Sequence, residues 1–250
     1  MIVQTIASVA RSRVRQANAP ASAQPSDPAI GVHKGTWHGQ SGNDGGLTPS
    51  SPLQVLGLTT QASGSSIAAF LLAEVSKASA PSDNKGNSYG SPVHTSLGYG
   101  GDYPGYGLES YVKLSAAGGA SHNFEFTKNA AGDEGTLIIA EVKNAATLQD
   151  QSVVFRPKPG AGVPYQSGTV TTTGPAILLT LWGGGGGTDI ASQQADVESG
   201  WTLIESLFRA NISYIQAALA WKAVGAGVHS VAWTPVANQS AIISLLAFQA

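Results

Sequence analysis

ESYVKLSAAGGASHNFEFTKNAAGDEGTLIIAEV, from Glu109 to Val142, has a counterpart 107 residues further along the chain, QAALAWKAVGAGVHSVAWTPVANQSAIISLLAFQ, from Gln216 to Gln249. The two stretches align without a gap, and six positions carry identical residues. Both show the same order of parts: a strand, a turn of small residues with glycine, a strand that opens with histidine, a loop and an apolar strand. The sequence therefore predicts an internal duplication.

The segments upstream of each repeat also correspond, and they read as strands. SSIAAFLLAE (65–74) and PAILLTLW (175–182) are continuous apolar runs bounded by Ser, Gly or Pro, which is typical of strands buried on both faces. SHNFEF (121–126) instead alternates, with its histidine and both phenylalanines on one face. Many short strands separated by turn residues predict an all-β fold, a β-sandwich or jelly roll built from two similar halves.

The chain divides by composition into an arm and a sandwich. Residues 1–52 are predicted to be an extended N-terminal arm and linker, because 17–30 is rich in proline and small residues. Residues 53–250 are predicted to form one β-sandwich unit, with halves at about 53–145 and 165–250. Whether the halves share one sandwich or form two stays open. The arm is either a flexible tail or an assembly anchor, and the anchoring residues would be Ile2, Ile6, Val9, Arg11, Arg13, Arg15 and Trp37.

Composition excludes several classes of function. Charged residues make up 11% of the 250 residues, against a usual share of about 25%. The net charge of −2 argues against a nucleic-acid partner, since phosphate contacts need clustered Lys and Arg. The chain has no cysteine, hence no disulfide or thiolate site, and nothing in it indicates a cofactor. The apolar runs are too short for membrane insertion, and the N-terminus lacks the pattern of a signal peptide.

A run of five glycines, Gly183–Gly187, follows the apolar run of the second half. Aligned with the first half, it begins where a buried strand ends, so we expect a loop within the second half rather than a hinge between domains. A phosphate-binding loop is not indicated, because no lysine follows the run and no helix start is evident.

Two segments of the first half contain candidate ligand-binding residues. Asp83, Asn84 and Asn87 surround Gly86 in PSDNKGNSYG, where they either bind calcium through oxygen atoms or simply form a turn. The next segment, rich in glycine and tyrosine, resembles a binding loop, because tyrosine rings give broad contacts at low entropic cost. Its candidate binding residues are Tyr99, Asp102, Tyr103 and Tyr106.

Catalytic interpretations have little support in the sequence. His122 and His229 occupy equivalent positions of the repeat, which favours a structural histidine bonded to a loop over a catalytic base or ligand. Asp133 and Glu134 are adjacent and would point apart on a turn, whereas a glycosidase needs two carboxylates that flank a cleft. No nucleophile elbow, zinc motif or P-loop is present. The sequence therefore predicts a non-enzymatic protein.

Four segments resemble a type of β-sandwich domain found in bacteria and bacteriophages. They are SAPSDNKGNSY, SAAGGASHNFEFTKNAAGDEGTLIIAEVKNA, TVTTTGPAILLTLW and SGWTLIES, which carry a D-x-x-G-N-x-Y turn, a GG-x-x-H strand start and a TTTGP strand. The resemblance covers about residues 55–250 and leaves out the arm. It implies a tail, fibre or adhesin module that contacts another protein or a cell-surface glycan, and it brings no catalytic residues.

Three hypotheses follow. The first is a bacteriophage virion structural protein, tail- or fibre-associated, assembled in the host cytoplasm, with other virion proteins as partners and self-association favoured by its charge-poor surface. The second is a lectin-like module that binds cell-surface glycans through Tyr99, Tyr103 and Tyr106. The third is a glycan-processing enzyme.

Overall fold

Every regular element of the described chain is a β-strand, so the predicted all-β fold is confirmed. The computed structural model describes residues 26–38, 52–74, 80–98, 106–128, 134–158, 160, 162–185, 195–207, 216–236 and 238–250. Within these ranges no helix is long and apolar enough to cross a membrane. Residues Ile2, Ile6, Val9, Arg11, Arg13 and Arg15 of the predicted arm lie outside them.

The first half contributes the strands β1 to β8. These are β1 (Ala29–His38), β2 (Leu53–Leu58), β3 (Ser65–Glu74), β4 (Ser82–Asp83), β5 (His94–Leu97), β6 (Tyr106–Ala116), β7 (His122–Phe126) and β8 (Gly135–Lys143). Five of them form a large antiparallel sheet in the order β1-β8-β3-β6-β5, and the other three form a small sheet in the order β2-β7-β4. The two sheets pack face to face as a sandwich.

The second half repeats this arrangement with the strands β9 to β18. These are β9 (Thr147–Arg156), β10 (Tyr165–Gln166), β11 (Val170–Thr172), β12 (Ala176–Gly185), β13 (Ala195–Val197), β14 (Thr202–Leu207), β15 (Gln216–Val224), β16 (Gly227–His229), β17 (Ala232–Pro235) and β18 (Ser240–Gln249). The large sheet has the order β9-β18-β12-β15-β14, which matches the first half strand for strand. Small sheets β10-β17-β13 and β11-β16 cover its outer face.

The two large sheets pack against each other, so the molecule has four layers. Edge strand β1 lies against β14, and at the opposite side β5 lies against β9. β9 is the counterpart of β1, and β14 is the counterpart of β5. Each edge strand of one half therefore contacts the counterpart of the opposite edge strand, as expected for an approximate two-fold axis between the central strands β3 and β12. His33 contacts Glu205 and Gly35 contacts Leu207, so β1 and β14 run in the same direction. A two-fold axis that relates strands running in the same direction is parallel to them.

Three apolar cores hold the layers together. The central core lies between the two large sheets and takes residues from both halves, among them Phe70, Ile138, Leu179 and Phe248. Each outer core lies between a large sheet and its small sheet, with Phe124 and Phe126 in the first half and Trp182 and Trp233 in the second. The central strands β3 and β12 are buried on both faces, which explains their continuous apolar runs.

The structure differs from the expectations at the arm and at the glycine run. Strand β1 lies inside the range 1–52 assigned to the arm, because its backbone pairs with β8 and completes the first large sheet. Trp37 is part of this strand. Gly183, Gly184 and Gly185 form the last part of β12 rather than a loop, since they pair with β18 in regular register.

Candidate functional site

The strand ends divide the molecule into two poles. Several strands that border internal segments outside the described residues end side by side: Ala73 pairs with both Gly107 and Gly135, and His38 also pairs with Gly135. In the second half, Gly184 pairs with Gln216 and Gly185 with Ser240. Because the approximate axis runs along the strands, both sets of ends face the same way. We call this end of the molecule the loop pole and the opposite end the arm pole.

The arm pole carries the strand ends that are joined by short turns. Ala29, the first residue of β1, pairs there with Lys143 at the end of β8. Just before this strand, the carbonyl of Asp27 accepts a hydrogen bond of 3.3 Å from Asn144 Nδ2. The N-terminal segment therefore meets the sandwich at the pole opposite to the loop pole.

The segment with the predicted binding residues connects two strand ends at the loop pole. Tyr99, Asp102 and Tyr103 lie outside the described residues. Tyr106 is the first residue of β6, where its backbone pairs with that of Glu74 at the end of β3. Leu97, the last residue of β5, pairs with Gly107 beside it. The glycine run reaches the same pole through Gly185, so the strands that lead to both segments end on one side of the molecule.

The predicted calcium residues form a closed hydrogen-bonded turn at β4. The Asp83 carboxylate accepts hydrogen bonds from the backbone N–H groups of Lys85 and Asn87, at 2.9 and 3.1 Å. It also accepts Asn87 Nδ2 at 2.8 Å and the Tyr89 hydroxyl at 2.9 Å. These donors occupy the lone pairs that a cation would need. Asp83, Asn84 and Asn87 thus act here as turn residues.

Asn84 and Asn87 tie the same turn to the neighbouring β6–β7 connection. Asn84 Nδ2 donates to the Ser121 carbonyl at 2.8 Å, and Asn84 Oδ1 accepts the N–H of Asn123 at 2.9 Å. Asn87 Nδ2 donates to the Ala117 carbonyl at 2.9 Å, and Asn87 Oδ1 accepts the N–H of Ala117 at 2.9 Å. Both amide side chains are therefore used to hold the backbone of the first half.

His122 lies behind the turn, between Asp83 and Thr60. Its Nε2 is 3.1 Å from Asp83 Oδ2, and both side chains are fully buried. Its Nδ1 is 2.9 Å from the Thr60 hydroxyl. Burial of the Asp83 carboxyl opposes its ionisation, but the hydrogen bonds from Asn87, Tyr89 and His122 outweigh burial and hold its pKa below the usual value. Burial and the nearby Asp83 carboxylate raise the pKa of Tyr89.

This threonine–histidine–aspartate arrangement has the order of a catalytic triad but an interior position. The Thr60 hydroxyl accepts the N–H of Gly119 at 3.1 Å, and the residue is 5% exposed, so no substrate carbonyl can approach it. The second half has an equivalent pair, in which the Thr172 hydroxyl is 2.9 Å from His229 Nε2 and donates to the Gly225 carbonyl at 2.6 Å. Both pairs join the chain just before the central strand to a segment that contains glycine, which supports the structural interpretation of His122 and His229.

Replacing Asp83 by alanine is expected to lower the free energy of unfolding by about 3–5 kcal/mol, because it leaves the buried donors of Tyr89 and His122 and the half-buried amide of Asn87 without an acceptor. Urea unfolding followed by tryptophan fluorescence measures the loss. Glu125→Ala, on the exposed face of the adjacent strand, is the matched control and should stay within about 0.5 kcal/mol of the wild type.

The same turn gives a test of the calcium alternative. Because donors fill the Asp83 carboxylate, millimolar calcium should leave the melting temperature of the wild type unchanged, and a chelator should do the same. A rise in melting temperature with calcium that disappears in Asp83→Ala would restore the metal interpretation.

Sequence reasoning missed the pairing of Asp83 with His122. The inward position of His122 in the alternating strand 121–126 was a usable signal, since a histidine on a buried face needs a polar partner. The partner could not be identified, because Asp83 lies on another strand of the small sheet.

Among the described residues, no group of three or more His, Asp or Glu side chains is placed to hold a metal ion. No known protein family, curated protein or solved structure matches this chain.

Proposed function

We propose that this chain is a non-enzymatic attachment and display module, anchored through its N-terminal segment, that presents its loop pole to a partner. The setting we propose is a bacteriophage particle, in which the protein is tail- or fibre-associated and contacts other virion proteins or the host surface. The virion setting rests on the sequence resemblance and on the charge-poor composition.

The observation that carries the proposal is the opposite placement of the two poles. An anchored module needs its attachment point away from the surface that it presents. Here β1 starts at the arm pole, where Ala29 pairs with Lys143. The strand ends next to the tyrosine-rich and glycine-rich segments lie at the other end, where Leu97 and Gly185 terminate their strands.

The duplication supports a display role in a second way. The approximate two-fold axis passes through the loop pole, so each half contributes its own set of strand ends to the presented surface. Residues that adjoin strand ends of a rigid scaffold are the usual place for recognition. Two buried sheets with a shared core give a stiff support, because each central strand is packed on both faces.

The experiment removes the anchor without disturbing the sandwich. The structure places β1 in the first large sheet, so the deletion must stop before Ala29; we choose removal of residues 1–25. We expect the shortened chain to fold with an unchanged circular dichroism spectrum but to be absent from phage particles purified on a density gradient. Full-length chain should co-sediment with the particles. Recovery of the full-length chain only in the soluble fraction, or normal incorporation of the shortened chain, would contradict the proposal.

The lectin hypothesis is retained as a second candidate because the segment with Tyr99 and Tyr103 connects two strand ends at the presented pole. It requires that the isolated protein binds a glycan and that Tyr103→Ala abolishes this binding. The control Tyr165→Phe changes a buried tyrosine of the second half and should keep the binding. An array without any bound glycan would count against it.

A further inference from the structure

The outer face of the first small sheet contains a polar groove that is separate from the loop pole. The groove has a volume of about 260 Å³ and lies across β2, β7 and β4. Its floor is a row of cross-strand neighbours, in which Gln54 pairs with Glu125 and Ser82 pairs with the other side of Glu125. Asn84, Asn123 and Leu56 line the adjacent part of the groove.

The groove presents hydrogen-bond donors and acceptors that are not used by hydrogen bonds within the described part of the chain. Asn123 Oδ1 accepts the N–H of Gly57 at 2.8 Å, which fixes the amide; its Nδ2 makes no hydrogen bond within the described part of the chain. Glu125 Oε2 receives only a long contact of 3.4 Å from Gln54 Nε2, and the Glu125 side chain is exposed. Glu125 Oε1 and Gln54 Oε1 remain as acceptors, and Asn123 Nδ2 remains as a donor.

An apolar side chain stands beside these polar groups. Leu56 is 47% exposed, one of the few large apolar residues of the described chain at the surface. Its position in the groove gives a ligand an aliphatic contact next to the amide of Asn123, which Gly57 holds in place, and next to the carboxylate of Glu125. Small-molecule sites combine apolar contacts with a few polar groups, and this groove supplies one apolar contact beside a larger number of polar ones.

The second half lacks this combination, although its backbone is equivalent. Gln166 pairs with Ala232 there, in the place of the pair between Gln54 and Glu125. At the offset of 107 residues, Asn123 corresponds to Ser230 and Glu125 to Ala232. Only the first half therefore offers this combination of side chains.

We propose that this groove binds a neutral saccharide, one pyranose ring at a time. Sugar hydroxyls donate and accept at once, so they match a surface where Glu125 accepts, Asn123 donates and Gln54 does both. The carboxylate repels anionic ligands, and the aliphatic face of the ring rests on Leu56. The site goes beyond the proposed attachment role and does not depend on it, because the groove lies outside the N-terminal segment.

The test uses the full chain labelled with ¹⁵N and titrated with glucose, galactose, mannose, N-acetylglucosamine, maltose and lactose. We expect at least one sugar to shift the side-chain amide signals of Gln54 and Asn123. Glu125→Ala should weaken that binding by about tenfold or more, because it removes a charged acceptor. Gln166→Ala, at the position of the second half that is equivalent to Gln54, is the control and should bind as the wild type does.

Several results would overturn the proposal. They are the absence of shifts with every sugar, shifts that map to other parts of the chain, and equal affinities of the wild type and Glu125→Ala. Shifts at Gln54 and Asn123 that grow with protein concentration in the absence of sugar would show that a second copy of the chain, and not a sugar, occupies the groove. Sugar binding that is lost in Tyr103→Ala but kept in Glu125→Ala would move the site to the loop pole. Removal of residues 1–25 should leave binding unchanged, so failure of the anchor and failure of the groove are distinguishable.

Discussion

Replacing Glu141 by leucine is expected to lower the free energy of unfolding by about 3–5 kcal/mol, as large an effect as that of Asp83→Ala. Glu141 lies in β8 and is fully buried. Its Oε1 accepts the N–H of Gln61 and the hydroxyl of Ser65, both at 2.7 Å, and its Oε2 accepts the N–H of Val32 at 3.2 Å. Leucine has a similar size but no acceptor, so the buried hydroxyl of Ser65 and the half-buried N–H groups of Val32 and Gln61 would lose their acceptor.

The carboxylate of Glu141 joins three separate parts of the first half. Val32 lies where the register of β1 shifts against β8, Gln61 lies before β3, and Ser65 begins β3. Gly31 makes room for the carboxylate, since a Cβ at Gly31 would be only 2.3 Å from Glu141 Oε2. The loss should therefore appear as weaker attachment of β1, which is visible as faster hydrogen exchange of its amides.

Urea unfolding of Glu141→Leu and Glu141→Gln, with Glu125→Gln as the exposed control, measures this effect. Glutamine keeps one acceptor oxygen, so its loss should be smaller than that of leucine, and the control should differ little from the wild type. A loss below about 1 kcal/mol for Glu141→Leu would show that the sheet can satisfy the three donors in another way.

The strands could be predicted from the sequence because the central strands are buried on both faces and therefore consist of continuous apolar residues. Ser65–Glu74 is predicted as one continuous apolar run and is observed as β3 with the same bounds. Alternation correctly identified His122–Phe126 as a strand with one buried face. The duplication predicted two similar halves, and the matching strand orders of the two large sheets agree with it.

The sequence was less informative where pairing rather than composition decides the structure. β1 is an edge strand with mostly half-buried residues, so its apolar pattern is weak and only its register with β8 reveals it. From the sequence, Gly183–Gly185 are predicted to form a loop, because glycine has a low intrinsic preference for strands. Their place between β15 and β18 overrides that preference. At Gly184 a Cβ would lie 2.7 Å from Trp182 Nε1, so the packing there requires glycine.

The site residues were hard to predict for a related reason. For Asp83, Asn84 and Asn87 the sequence left two alternatives open, a calcium site or a turn. The contact of Asp83 with His122 could not be predicted, because only the fold brings the two residues together. The groove of the small sheet could not be found, since Gln54 and Glu125 are 71 residues apart and look like ordinary surface residues of two strands. Only cross-strand register places them side by side.

Acidification should weaken the contact between the halves through His94, which is 4% exposed. His94 belongs to β5, and its Nδ1 is 3.0 Å from the hydroxyl of Ser244 in β18 of the other half. The Ser110 hydroxyl is 3.5 Å from the same serine oxygen, and His94 Nε2 makes no hydrogen bond within the described residues. Burial lowers the pKa of His94 to about 4, because the charged imidazolium would lose its hydration without gaining a carboxylate partner.

The direction of the pH effect follows from this lowered pKa. Between about pH 6.5, where an unfolded histidine titrates, and the folded pKa of about 4, the unfolded chain binds a proton that the folded chain does not. The stability due to neutral His94 is therefore fully present above about pH 6.5 and is lost as the pH falls towards 4. Linkage gives a loss of about 2 kcal/mol between pH 7 and pH 5.

Comparison of the wild type with His94→Gln isolates this contribution from that of the other histidines. Glutamine can still bond to Ser244 but does not titrate, so we expect its free energy of unfolding to fall about 2 kcal/mol less than that of the wild type between pH 7 and pH 5. Thr95→Ser, at an exposed position of the same strand that does not titrate, is the control and should follow the wild type. Parallel pH profiles of the wild type and His94→Gln would mean that His94 is protonated at no extra cost in the folded protein. In that case the packing of the two large sheets would not depend on a neutral histidine.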